Sequence, residues 1–284
     1  MRVSVLVVLG LLVALIGLVF FGENRWRATT AELVGRMGGG GPAPPPRFEI
    51  SEIDGLPSPV ARYFREVLED GRPLVRKARL RQRGEFLVRP ESGGWAPFEA
   101  TQHVSTLPPG FVWDARIRMG PGLAIRVRDG FVDGRGSMRA SFMGIVPVLR
   151  VEGTPEIAAG ALHRYLAEAV WCPTALLPSA GVVWTPLDDA SARATLSVAA
   201  TAVSLDFRFG PDGLVESVFT PARGRDVDGR SVPTPWQGRF SEYDERAGMR
   251  IPLAGEVEWL LPEGPQVYWR GRLVGVEYEW SGAL

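Results

Sequence analysis

Cysteine and histidine are almost missing from this chain. Cys172 is the single cysteine among 284 residues, so no intramolecular disulfide can form and no metal site can be built from thiolates. His103 and His163 are the two histidines, too few for a histidine-rich metal centre, and neither falls in a zinc motif. Lysine is reduced to Lys77. Neither sign of charge is in excess, because 32 basic side chains meet 32 acidic ones, which removes the basic surplus of a nucleic-acid binder. No Gly-x-Ser-x-Gly elbow places a serine nucleophile, and the glycines at 38–41 are followed by prolines instead of the Gly-Lys-Ser/Thr of a phosphate loop. No cofactor and no metal is therefore expected.

What is present begins with a long apolar run. From Val3 to Phe21 nineteen consecutive residues carry no charge. At roughly 1.5 Å per residue, a helix of that length covers nearly all of a ~30 Å hydrocarbon core. A cleaved signal peptide is the rival reading, but the run exceeds the roughly 7–15 apolar residues of a signal core. The following Gly22, Glu23, Asn24, Arg25 and Trp26 also offer no small-x-small cleavage site. Residues 1–22 are read as a retained transmembrane anchor in the cell membrane, with Trp26 at headgroup level. Arg25, Arg27 and Arg36 against Arg2 lean toward a cytoplasmic body, and the side of the membrane stays open. Residues 23–48 are read as a Gly/Pro-rich tether and 49–284 as a single β-rich domain.

The body opens with a helix for which Ser58 is the expected cap and Pro59 the first residue. Val60, Tyr63, Phe64, Val67 and Leu68 fall on one face before Gly71. Alternation then takes over: Ala78, Leu80, Gln82, Gly84, Phe86 and Val88 oppose Arg79, Arg81, Arg83 and Glu85. A period of two marks half-buried strands. The same pattern recurs at 117–127, 203–209, 214–219, 257–261 and 274–280, giving about eleven strands, with Asp129-Gly130, Asp133-Gly134 and Asp212-Gly213 as reversals. Asp226-x-Asp228-Gly229 is a turn and not a calcium loop, since Arg230 stands where an oxygen ligand is needed. One segment breaks the rhythm. Thr154 caps and Pro155 starts an apolar-striped helix that Pro173 ends, and 174–178 continues too apolar for a surface loop. The expected fold is mainly β, an antiparallel meander forming an open half barrel or a two-layer curved sheet, with that helix packed centrally.

Several segments carry a family resemblance. Leu56-Pro57-x-Pro59-Val60-x-Arg62-Tyr63-Phe64-Arg65, 109–115, 164–171, 173–177, Pro235-Trp236, Ile251-Pro252, Gly255-Glu256-Val257-x-Trp259 and Tyr268-Trp269-Arg270-Gly271 resemble an uncharacterised bacterial family. That family consists of single-span membrane proteins with a domain of unknown function. The resemblance spans nearly the whole body and implies the architecture but no activity.

Catalytic constellations find little support. Cys172 and His163, nine positions apart, lie on opposite sides of one helix and read as a packed cysteine and a structural histidine. The best enzyme case pairs Asp114 beside Trp113 with Glu168 beside Trp171, as the acid and base of a carboxylate-dependent hydrolase. Against it, Arg164 and Glu168 are four apart and can pair locally. Charge is distributed unevenly, with thirteen basic and six acidic residues over 75–150 and four basic and eight acidic over 240–284. Early strands meeting late ones would pair Arg79, Arg81 and Arg83 with Glu256, Glu258, Glu277 and Glu279. Alternatively, Arg116, Arg118, Arg126 and Arg128 form an exposed basic face. The favoured function is a membrane-anchored, non-enzymatic domain binding a lipid or acyl chain in a curved-sheet cavity. A hydrolase or a protein-binding scaffold of the envelope is the alternative. Candidate ligand contacts are Trp113, Asp114, Arg164, Glu168, Trp171 and Arg270.

Overall fold

The computed structural model describes residues 2–37 and 47–281, without the side chains of residues 2–5, 7, 8, 11, 12 and 15. Its helices are α1 (Arg2–Arg36), α2 (Ser58–Val67) and α3 (Pro155–Glu168). The strands before α3 are β1 (Val75–Arg89), β2 (Gly94–Ser105), β3 (Gly110–Gly120), β4 (Leu123–Val132), β5 (Arg135–Phe142) and β6 (Val146–Glu152). Those after it are β7 (Val182–Asp188), β8 (Ser191–Val198), β9 (Thr201–Phe209), β10 (Val215–Val227), β11 (Arg230–Arg246), β12 (Met249–Leu261) and β13 (Gly264–Trp280).

Period-two alternation builds one open antiparallel sheet. Among the described residues it has 13 strands, ordered β6-β5-β4-β3-β2-β1-β13-β12-β11-β10-β9-β8-β7. That is more than the roughly eleven expected, in a single curved layer and not two. The chain starts mid-sheet at β1, winds out to β6, crosses through α3 to the opposite edge, and returns from β7 to β13. First and last strands thereby become neighbours, with Leu80 opposite Val276 and Gly84 opposite Gly271. The expected charge pairing occurs in part, since Arg79 meets Glu277 at 3.7 Å across this seam. Glu258 instead takes Arg239 on β11, at 2.9 Å.

Turn chemistry was legible at two hairpins. Asp133 and Gly134, at φ 53° and 73°, join β4 to β5, and Asp228 and Gly229, at 52° and 77°, join β10 to β11. Such left-handed pairs match the twist of the flanking strands. Asp129-Gly130, expected as a reversal, instead lies inside β4. Glycine is used there for close approach: a Cβ on Gly130 would sit 3.0 Å from the Phe111 carbonyl oxygen.

The concave face holds the core. Val60, Tyr63, Phe64 and Val67 of α2 are buried, and Tyr63 packs 5.8 Å from Phe209 of β9. Ser58 is the first helical residue, not the cap; its hydroxyl accepts from Arg62 at 3.1 Å. The helix also stops at Val67, short of Gly71. α3 starts as expected, with the Thr154 hydroxyl accepting from the Ile157 amide at 3.3 Å. Three short 3-10 turns follow, Ala169–Trp171, Pro173–Leu176 and Pro178–Ala180, and their apolar side chains are buried. Each fully buried Leu or Val there contributes about 1.5–3 kcal/mol of transfer free energy. Their polar groups are satisfied inside the bowl. Trp171 Nε1 donates to the Pro252 carbonyl at 3.0 Å, Trp184 Nε1 to the Leu176 carbonyl at 2.9 Å, and Tyr278 to the Trp171 carbonyl at 2.6 Å.

The convex face carries α1, which corrects the tether boundary. The helix continues through residue 36, so the first part of 23–48 is not tether but docked helix; the Gly/Pro stretch at 38–46 lies outside the described residues. A Cβ on Gly22 would stand 2.9 Å from Ile145 Cγ1 and 3.0 Å from the Gly144 carbonyl oxygen, so only glycine permits this approach to the β5–β6 turn. Further along, Glu23 meets Arg126 at 3.2 Å, and the Arg128 guanidinium lies 4.4 Å over the Trp26 ring. Arg126 and Arg128 are therefore covered by α1 and form no open basic face. The expected anchor between Val3 and Phe21 falls in part on side chains outside the described residues. Among the described residues no helix is long and apolar enough to cross a membrane.

Candidate functional site

A cavity of about 770 Å³ opens on the concave face between α3, strands β3 to β6 and strands β10 to β13. Its volume lies within the ~300–1,000 Å³ of small-molecule sites. Five tryptophans line it, Trp113, Trp171, Trp236, Trp259 and Trp269, together with Ile117, Val127, Met138, Leu149, Val151 and Val257. Glycine makes space for the rings. Gly84, Gly271 and Gly255 stand in register on adjacent strands. A Cβ on Gly271 would lie 2.6 Å from the Trp269 ring, which stacks 5.7 Å from Phe98.

Alternation decides which predicted residues reach this space. Trp113, Arg164, Glu168 and Trp171 line the cavity together. Asp114 does not: consecutive strand residues point to opposite faces, and Asp114 is on the convex side. There its carboxylate accepts from Trp26 Nε1 at 3.0 and 3.1 Å and from the Thr30 hydroxyl at 2.6 Å. The expected Asp114–Glu168 acid–base pair is thus split by the sheet. Arg270 is also convex, bonded to Glu85 at 2.6 Å and 4.5 Å over the Trp95 ring, in a shallow charged trough away from the cavity.

The cavity carries two arginines in different surroundings. Arg164 donates to Glu168 at 2.9 Å and to Asp129 at 2.8 Å, and lies 4.7 Å over the Trp113 ring. The chain of bonds extends from Glu168 to Gln102 (2.6 Å), from Gln102 to Gln82 (3.2 Å), and from Gln82 to Trp113 Nε1 (2.8 Å). Burial works against the Arg164 charge, and the adjacent Glu168 and Asp129 outweigh it, holding the pKa above the ordinary arginine value. This network is closed upon itself.

Arg223 is the second. Its Nη1 donates to the Tyr268 hydroxyl at 3.0 Å and its Nη2 to the Gly160 carbonyl at 3.1 Å, with the guanidinium 4.7 Å from the Trp236 ring and 5.8 Å from Trp259. Two β-bulges bring the cluster together. The β10–β11 register slips between Thr220 and Arg223, and the β12–β13 register slips between Val257 and Glu258, so that consecutive Tyr268 and Trp269 both line the cavity. His163 stands nearby on α3. Burial, and then the Arg223 charge, push its pKa down to about 4, so its ring is neutral at physiological pH. Cys172 is buried and its thiol pushed up to about 12, which makes it a poor nucleophile.

Asp129, Arg223, Trp236, Trp259, Tyr268 and Trp269 were not among the predicted contacts. Gln82 was visible as a polar residue on an apolar strand face, the one sequence signal of the buried network.

A family of unknown function, DUF6920, matches residues 54–278. No curated protein matches the chain. Solved structures give distant likenesses. A domain described as an outer membrane lipoprotein-sorting protein from Vibrio parahaemolyticus has TM-score 0.40 at 6% identity, with 73% of this chain and 87% of that one covered. A LolA superfamily protein from Nitrosomonas europaea has TM-score 0.37 at 10% identity, with 78% and 92% covered. A beta-barrel-like protein of the domain of unknown function DUF1849 from Brucella abortus has TM-score 0.23 at 13% identity, with 72% and 98% covered.

Proposed function

The chain belongs to the DUF6920 family of unknown function, and we propose that it binds a hydrophobic, lipid-like ligand, such as an acyl chain, in its concave cavity. The observation that carries this reading is the cavity of about 770 Å³ walled by five tryptophans and aliphatic side chains, with the Arg164 charge neutralised inside the wall. Apolar walls reward an apolar guest at about 25 cal/mol for each Å² removed from water.

Membrane anchoring through residues 3–21 is part of the proposal. Ile16, Phe20 and Phe21 are 66%, 69% and 65% exposed where α1 leaves the body. Beside that point the hairpin tips expose Met119, Leu123, Phe142 and Val146. Together they form an apolar rim suited to a bilayer surface. The carboxylate-hydrolase reading has lost its geometry, since its two members occupy opposite faces of the sheet.

Native mass spectrometry of the full chain purified from membranes tests the ligand. The expected result is a co-purifying lipid that is released when the cavity is filled, for example by Ala161→Trp. A cavity that stays empty and binds no long-chain amphiphile would overturn the proposal. Protease protection in intact cells assigns the side of the membrane.

A further inference from the structure

Arg223 has no carboxylate partner. Among the described residues no Asp or Glu oxygen lies within ion-pair distance of it, although Glu156, Asp226 and Glu256 line the same cavity. The guanidinium is half-buried, bonded to neutral acceptors and stacked on tryptophan rings, which leaves its charge uncompensated and open to an anion. Its Nε–H is also buried without an acceptor. Tyr268 adds a second unanswered donor by simple counting. Its oxygen already accepts from Arg223 at 3.0 Å and from Trp236 Nε1 at 2.9 Å, so its own hydrogen must point elsewhere. Trp269 Nε1 supplies a third, buried and without a partner. Both Tyr268 and Trp269 line the cavity.

We propose that the wall formed by Arg223, Tyr268 and Trp269 holds the oxyanion head, carboxylate or phosphate, of an amphiphile whose chain occupies the tryptophan-lined space. This rests on the lipid-like reading above and narrows its ligand class. An uncompensated guanidinium with the free Tyr268 hydrogen beside it, and the Trp269 N–H on the next residue of the same strand, suits an anion with several lone pairs and gives a neutral ester much less. Arg164 cannot compete for that role, because Asp129 and Glu168 already surround it with excess negative charge. The neutral His163 ring beside Arg223 adds no second cation.

The test uses the delipidated full chain and tryptophan quenching by a brominated long-chain fatty acid, its methyl ester and a brominated lysophosphatidic acid, with inorganic phosphate as a competitor. The expected result is that both anionic amphiphiles bind at least about 10-fold tighter than the ester. Arg223→Met should remove that preference and leave ester binding unchanged. Tyr268→Phe, a gentler change, should weaken the anionic amphiphiles about 3- to 10-fold with the ester again unaffected. Inorganic phosphate should fail to compete. Equal binding of acid and ester by the unaltered protein, or loss of both in Arg223→Met with the native melting temperature retained, would overturn the head-group assignment while the cavity reading survives. Phosphate binding as tightly as the amphiphiles would mean that the site takes a free anion and would also overturn it. If no amphiphile binds at all, both readings fall.

Discussion

Arg164 and Arg223 share one cavity and answer the same physical demand in opposite ways. Arg164 finds its counter-charges inside the fold, in Asp129 and Glu168, and is locked into a chain of bonds reaching Trp113. Arg223 finds only neutral acceptors, the Tyr268 hydroxyl and the Gly160 carbonyl. A charge neutralised by its own protein is architecture, whereas a half-buried one left without a counter-charge beside an accessible volume is an invitation to a ligand. The contrast also explains why the pair of acidic residues near the centre does not look like a catalytic dyad: a guanidinium lies between them.

The contrast can be broken most directly by removing each arginine. Arg164→Met leaves two carboxylates in the wall without their cation, and the expected loss is about 3–5 kcal/mol in chemical denaturation. Arg223→Met should cost less than about 1 kcal/mol, since no buried anion is orphaned. Equal losses would erase the distinction. Next in size is a pH effect beside Arg223. With the folded His163 pKa near 4 and the ordinary value 6.5, the unfolded chain binds a proton in that window that the folded chain does not. Stability should therefore fall as pH drops from 6.5 toward 4 and level off below, by at most about 3 kcal/mol, and His163→Gln should flatten this segment of the curve. Glu168→Gln keeps the shape but halves the negative charge around Arg164, for an expected loss of about 1–2 kcal/mol by thermal unfolding. The smallest effect belongs to a third arginine on the convex face. Arg270 and Glu85 are each about half exposed, so Glu85→Ala should change stability by less than about 0.5 kcal/mol.

The sequence made the repeating parts of this molecule readable and hid the irregular ones. Alternation from Ala78 to Val88 identified β1, and Thr154 with Pro155 located the start of α3, because each rests on contacts only a few residues long. Asp114 obeys the same period of two: Trp113 faces inward, so Asp114 faces out. Asp129-Gly130 looked like a hairpin turn, yet Asp133-Gly134 takes that role four residues later and leaves Asp129 to reach Arg164. Arg223 and Tyr268 were beyond reach. Each depends on a bulge, a one-residue slip between partner strands, and no local pattern marks where two distant segments will slip. The docked half of α1 is hidden for a related reason, since it is held by long-range contacts, Gly22 against Gly144 and Ile145 and Glu23 against Arg126, that no local pattern in 23–36 displays.

The seam between β1 and β13 sets a clock on assembly. Among the described strands β1 is synthesised first, and its open edge must wait for β13 to cover it. During that interval the two wings can form as separate meanders of mostly local pairing, while β1 and β12 each present unpaired backbone at what will become the centre of the sheet. A product stopped before Gly264 would keep both wings but no joint between them, and with the joint would go the Trp269 and Tyr268 side of the cavity. The arrival of β13 is thus the event that turns two sticky half-sheets into a vessel.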